Sequence, residues 1–472
     1  MALALAMLVA SCAGPDGSDA APPSHAGQSG GTPPVAETTT PTETVAQQRG
    51  PDARGVIAPH PTAPQVDWML AATDLDLAVD QVTFHDPRYP PMLDGWPMVG
   101  MIAVGEVWVV GAADVASDRR WLVALDPTSG EQVATMGVTR GDGPPSSCTG
   151  ALAGGAVACL YGDTLEVLDP AAGSATGRVV LAAPAHSVHV VDGDVLVLGV
   201  ADDGTAVELT RVTPAGEQVW SVAAPLDAEE SLAMTGNYVP VVQEAPGLVL
   251  VGVGALQLAV DAATGAIAWQ GIADVLAVGP DGGLVASAVG DQAWGTPSRL
   301  ERLDATATVS LGTDELGWRP AAANSGLVPG PIVTDDGDGV VGVRPDGGHA
   351  WRLEADPDEL RLPMVRADGV VVLQDTAGVM TAIEPENGDI RWRNDAGSSG
   401  WTTRGWDALS DGERMVVRSP EGIIAVDLTD GSLVWEVRVP GGDGQVWELV
   451  DLGRGVVAAG ERTLRAYLGT AG

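Results

Sequence analysis

Through most of the chain apolar residues fall at every second position, in short runs that Gly and Asp interrupt. A period of two is that of a β-strand with one face packed. No stretch between these runs carries the longer period of a helix, so the pattern predicts an all-β protein and argues against alternating strands and helices. One frame recurs. In Leu256–Trp269 the alternation runs to Asp261, a tight turn closes on Gly265, and Trp269 follows four positions later. The same frame returns with Glu384, Gly388 and Trp392, and again with Asp427, Gly431 and Trp435. Weaker copies keep Asp126 with Gly130, Asp169 with Gly173, Gly216 with Trp220, Gly347 with Trp351, and Leu303-Asp304. The Asp-x-x-x-Gly segment suits a hairpin connection, because Gly takes up the positive φ that a Cβ disfavours. Ahead of the copies lie further apolar runs, such as those at 107–110, 195–198, 248–251, 370–373 and 415–417.

The copies stand roughly 40 to 48 residues apart, the length of one four-stranded propeller blade. Four strands per unit around a ring hide most sheet edges and bury each blade against the next. Eight copies of the turn predict eight blades, or seven if one degenerate copy is misread. Two more apolar runs, at 455–459 and 463–468, read as strands that the chain near Trp68 to Val79 would complete, closing the ring.

The frame Leu-x-Ala-x-Asp-x-x-Thr-Gly-x-x-x-Trp resembles the PQQ-like (quinoprotein-type) propeller repeat. That repeat occurs in quinoprotein alcohol dehydrogenases and in the propeller lipoprotein of the outer-membrane assembly machinery. The resemblance covers about Trp96 to Leu468 and speaks to fold more than to function. It implies that Trp220, Trp269, Trp351, Trp392 and Trp435 pack between adjacent blades. The family's enzymes hold a quinone and calcium with a residue set that includes two adjacent cysteines. Here the cysteines are Cys12, Cys148 and Cys159, no two of which adjoin. The calcium-binding carboxylate and amide find no counterpart either, so no cofactor and no dehydrogenase activity are expected.

The first residues give a location. Met1 to Ala10 is apolar and leads into Val9-Ala10-Ser11-Cys12, which resembles a bacterial lipobox with Cys12 as the lipidated residue. No Arg or Lys precedes the apolar run, so the true start is expected further upstream. Residues 13–65 are rich in Pro, Thr, Gly, Ser and Ala and cannot bury enough apolar surface to fold. As a flexible coil they would hold the body on the order of 40 Å from a membrane. The expected organisation is a signal segment at 1–12, a tether at 13–65 and a propeller at 66–472. Nothing else is long and apolar enough to span a bilayer, so the membrane contact is through the N-terminal lipid and the protein is extracytoplasmic.

Charge removes one class of partner. The 472 residues carry a net charge of -39, and Arg supplies all 24 positive charges, so no basic patch invites nucleic acid. Among the chemistry-bearing residues, Cys148 and Cys159 flank Ala153-Gly154, the centre of a plausible hairpin that sets them opposite each other. Export permits a disulfide there; two buried thiols in neighbouring strands are the alternative. His186 and His189 are three apart, on opposite faces of a strand, and no third ligand stands nearby. The run Asp335-Asp336-Gly337-Asp338-Gly339 is similar to calcium-binding turns but lacks the later carboxylate, and an acidic hairpin turn accounts for it. His25 and His60 fall in the tether, and Glu229, Glu230 and Glu315 in loops, so no metal site is expected. No Ser-His-Asp order, phosphate loop or zinc spacing occurs.

These observations favour a lipid-anchored protein-interaction scaffold of the cell envelope, without catalysis, whose partners are envelope proteins. Trp401 and Trp406, in a Gly-rich loop between blades, are the candidate contact; blade packing is the alternative for them. A sensory module for a small molecule or cation is the second reading of the whole chain, and a quinoprotein dehydrogenase the third.

Overall fold

A computed structural model describes residues 61–468 with interruptions, the longest at 228–239, 289–297, 315–330, 395–407 and 440–447. The chain divides into two units, 1–48 and 49–472, and every described residue belongs to the second. That unit is a β-propeller of antiparallel sheets. It opens with β1 (Trp68–Ala71), β2 (Val82–His85), β3 (Met92–Leu93), β4 (Trp96–Pro97), β5 (Met101–Val104), β6 (Val107–Asp114), β7 (Arg120–Leu125) and β8 (Gln132–Gly137). The first sheet is β2 and β5 through β8; among the described residues β3 and β4 pair with each other and with no other strand.

The second sheet begins with β9 (Ser147–Cys148) and β10 (Val157–Tyr161), and the later sheets repeat the same up-and-down order from the inner strand outwards. The third, for example, runs Ser187–Val191, Asp194–Val200, Ala206–Val212 and Gln218–Pro225. The ninth sheet departs from that order. Its three strands Glu448–Asp451, Gly455–Ala459 and Thr463–Leu468 are completed by β1, with Trp68 opposite Ala466 and Ala71 opposite Thr463. The two ends of the propeller are thus joined by one strand pair.

Among the described residues there are nine sheets of three strands or more, one above the eight that the turn copies predict. The physical reason lies in the closing sheet. The Asp-x-x-x-Gly turn links a third strand to its fourth, and in the ninth sheet that link does not exist because β1 comes from the other end of the chain. Eight turns therefore correspond to nine sheets.

Burial explains why the period of two is clearest only in some strands. The second strand of the first sheet, β6, is buried at every position, because neighbouring sheets cover both its faces. An outer strand such as Leu433–Arg438 alternates, with Trp435 buried and Glu436 turned outwards. Among the described residues, buried apolar clusters fill eight of the junctions between neighbouring sheets. The cluster between the ninth and first sheets joins Val457, Leu464 and Ala466 to Met101, Trp108 and Val123, so the ring is closed by packing as well as by strand pairing.

Candidate functional site

The recurrent Gly and Trp meet across sheet boundaries. Trp220 of the third sheet lies on Gly265 of the fourth, Trp351 on Gly388, and Trp392 on Gly431. A Cβ added to any of these glycines would come within 2.6 to 2.8 Å of the indole. Each of the three also holds a positive φ, between 73° and 79°. Two demands, left-handed backbone and room for an indole, therefore fall on one residue. Each indole N–H then donates to the carbonyl of the residue after the acidic position: Trp220 to Ala262 at 2.9 Å, Trp351 to Pro385 at 2.6 Å and Trp392 to Leu428 at 2.9 Å. Burying an indole leaves no unpaired donor at these junctions.

Trp68 makes the same contact from β1. Its ring covers Gly130 of the first sheet and its N–H donates to Pro127 at 2.9 Å. Sequence reasoning missed this packing role because the frame's Gly and acid are absent ahead of it: Pro64 stands four positions before Trp68 and His60 eight. Trp269 is half-buried at the boundary of the fourth and fifth sheets, beside Leu250 and Leu276. Trp435 is buried with Leu449 and Tyr467 between the eighth and ninth. Where the frame has no Trp, smaller groups fill the layer: Ala134 faces Gly173, and Val179 faces Gly216.

The acidic residue of the frame serves the turn itself. The Thr128 hydroxyl and the amides of Ser129 and Thr128 bind the Asp126 carboxylate and bring its pKa down to about 2. Thr264 lowers the pKa of Asp261 in the same way. These exposed carboxylates are engaged by their own loops.

Cys148 and Cys159 sit directly opposite in β9 and β10 and are joined as a disulfide. Leu152 and Ala156 bridge the loop between them, with Gly154 and Gly155 both at positive φ. His186 is exposed, just ahead of the strand Ser187–Val191. His189 is half-buried within it, where its Nε2 lies 3.1 Å from the Ser187 hydroxyl. Burial together with the charge of Arg88 pushes the His189 imidazole down to about 4. Asp335 ends one strand and Gly339 begins its partner, Asp335 lying opposite Val340. Cys12, Trp401, Trp406, His25, His60, Glu229, Glu230 and Glu315 lie outside the described residues.

A further cluster had no signal in the frame. β6 takes β5 along its first half and β2 along its second, both on the same edge. The innermost strand of the first sheet is therefore interrupted, and residues 86–100 leave and re-enter it midway. At the root, the His85 ring covers Gly111 and the Asp86 carboxylate fills the space above Gly100; a Cβ at either glycine would collide with them. Arg88 grips that carboxylate with Nε and Nη2, at 2.9 and 2.6 Å. Burial pushes the His85 imidazole down to about 4.

The residues present do not fit the quinone set. The described disulfide joins opposite strands and faces the apolar layer between the first and second sheets, with Val157 and Leu168. A bridge between adjacent cysteines beside a flat ring is a different geometry. Among the described residues no three of His, Cys, Asp and Glu converge as metal ligands, and no helix is long and apolar enough to cross a membrane.

Comparison with known proteins adds a family. The profile of the family described as outer membrane protein assembly factor BamB matches residues 118–274 and 259–468. No curated protein sequence matches the chain. Similar solved structures include BamB from Moraxella catarrhalis, at 15% identity and TM-score 0.40, covering 79% of this chain and 98% of that one. The computationally designed Ika8 protein covers 86% and 100% at 13% identity and TM-score 0.47. A europium-containing methanol dehydrogenase covers 80% and 81% at 13% identity and TM-score 0.44.

Proposed function

Because the chain belongs to the family described as outer membrane protein assembly factor BamB, we propose that it is a lipid-anchored, extracytoplasmic scaffold that binds other proteins of the cell envelope and catalyses no reaction. The observation that carries the reading is the family match, which runs through most of the propeller, from residue 118 to residue 468. The geometry is compatible with it. The recurrent acids close their own turns and the recurrent Trp cement neighbouring sheets, so what the molecule offers outward is a rigid surface. Cys12 would carry the lipid and residues 13–65 the tether. Trp401 and Trp406 remain the proposed contact, and envelope proteins the proposed partners.

The test is mild crosslinking of the native protein in its membranes, followed by affinity purification and mass spectrometry. A dominant partner that is lost when residues 400–406 are replaced supports the scaffold. A protein recovered only as uncrosslinked monomer rules it out. Cys12→Ser is expected to move the protein from the membrane to the soluble fraction, and unchanged membrane retention would refute the anchor.

A further inference from the structure

The turn that seats Trp351 carries a reactive dipeptide. Of the asparagines Asn237, Asn324, Asn387 and Asn394, only Asn387 precedes a glycine. A glycine successor has no Cβ to shield its nitrogen or to restrict its backbone. That nitrogen can therefore attack the Asn carboxamide with the advantage of an intramolecular reaction. Gly388 has no slower substitute, because its φ of 79° and the Trp351 ring both demand glycine. The residue ahead of it is freer. In other copies of the frame that place is held by Ser129, Thr264 and Asp430. Like Asn387, each accepts the backbone N–H two positions on through a side-chain oxygen, at 3.2, 3.3 and 2.8 Å, against 2.9 Å for Asn387. An Asp serves that acceptor role as well as an Asn. Asn387 is exposed, and its Nδ2 donates to Glu384 Oε2 at 3.3 Å and to Asp389 Oδ2 at 2.9 Å. A neutral amide thus stands between two carboxylates, of which Glu384 also pairs with Arg391 at 3.2 Å.

We propose that Asn387-Gly388 is a self-modification site, which converts to aspartate and isoaspartate as the protein ages and so loosens the junction of the sixth and seventh sheets. The Gly388 nitrogen gives up its proton and bonds to Cγ of Asn387; the Cγ–Nδ2 bond breaks, and ammonia leaves with that proton. Water then opens the cyclic imide at either carbonyl. Opening at Cγ leaves aspartate at 387, and opening at the main-chain carbonyl leaves isoaspartate, with the chain running on through the side-chain carbon. Aspartate keeps the acceptor for the Asp389 N–H, but it replaces the shared donor by a third negative charge beside Glu384 and Asp389. Isoaspartate also lengthens the backbone by a methylene just ahead of Gly388. The α-carbon of Gly388 is fitted under the indole, and its N–H closes the turn on the Glu384 carbonyl at 2.9 Å. That hydrogen bond must open before the imide forms, so the folded turn sets the pace of the reaction. The inference stands whether or not the scaffold reading holds.

The test keeps the whole chain warm at mildly alkaline pH and samples it by peptide mapping that separates aspartate from isoaspartate. Asn387 is expected to be lost about ten-fold faster than Asn394, whose successor is Asp395. Equal rates, or an intact Asn387 when Asn394 has begun to convert, overturn the site. The consequence is read by hydrogen exchange on the isoaspartyl fraction. Amides of His349–Glu354 and of residues 384–388 are expected to exchange several-fold faster than in fresh protein, and unchanged exchange refutes the loosening. Asn387→Ser keeps an acceptor of the kind Ser129 provides and removes the carboxamide. It is expected to age without change at this junction; the same loosening in the aged variant would place the cause elsewhere and overturn the proposal. Asn387→Asp supplies the other product directly. Its melting temperature should fall below the parent's at low salt and approach it as salt is added, and a gap indifferent to salt refutes the role given to charge.

Discussion

Gly431 is held twice, by its φ of 73° and by the Trp392 ring against its α-carbon. Gly431→Val adds a Cβ that has no space and a β-branch that resists the left-handed region. The expected cost is about 2–4 kcal/mol, read as a lower urea midpoint with an unchanged slope. Trp392→Ala empties the same layer from the other side and is expected to cost about 3–5 kcal/mol. The double variant should cost less than the sum, since the two residues share one contact. His85 supplies a pH dependence. Its folded pKa of about 4 lies below the ordinary 6.5, so the unfolded chain binds the proton first as pH falls. Stability contributed by the neutral ring is whole above about pH 6.5, is lost between about pH 6.5 and 4, and amounts to about 3 kcal/mol. Thermal melts across that range should show the slope, and His85→Gln should reduce it, leaving the part that His189 contributes.

At the scale of elements, the turn copies made the sheets legible because all but the Leu303-Asp304 copy keep the same Gly for the same reason, and that signal survives even where the Trp is gone, as at Gly173. The closing strand was legible near Trp68, and its pairing with Thr463–Leu468 bears that expectation out. What was not legible is that Trp68 packs on a glycine like the Trp of the series, because the frame's acid and Gly do not stand ahead of it at the frame's spacing. The interrupted inner strand was equally silent, since β2 and β5 are adjacent only through β6. His85, Asp86 and Arg88 look like ordinary loop residues until Gly100 and Gly111 are placed under them. By contrast, the Cys148–Cys159 spacing had a readable local cause in the glycines between them. Removing both thiols, as Cys148→Ala with Cys159→Ala, frees a loop closed over a separation of 11 residues. A loss of about 2–3 kcal/mol follows from the loop-closure entropy, to be measured against the oxidised parent by urea unfolding.

For the whole molecule, a net charge of -39 without lysine makes repulsion between surface carboxylates a standing opposition to compactness. Screening should relieve it. The melting temperature is expected to rise when sodium chloride goes from about 10 mM to about 500 mM, over which the Debye length shrinks from about 30 Å towards a few Å. A flat response would mean that the acids are spaced widely enough, or engaged locally enough, to ignore one another. The pairing of Trp68 with Ala466 reaches further than stability. The strand that completes the last sheet leaves the ribosome before all the other strands of the propeller, and its partner after them. Throughout synthesis and any passage across a membrane that early strand has no mate, and the ring exists as an open arc with an apolar edge at each end. Completion is then a single late event at very long sequence separation. Chaperone demand during biogenesis should therefore persist until the last strand, Thr463–Leu468, has emerged.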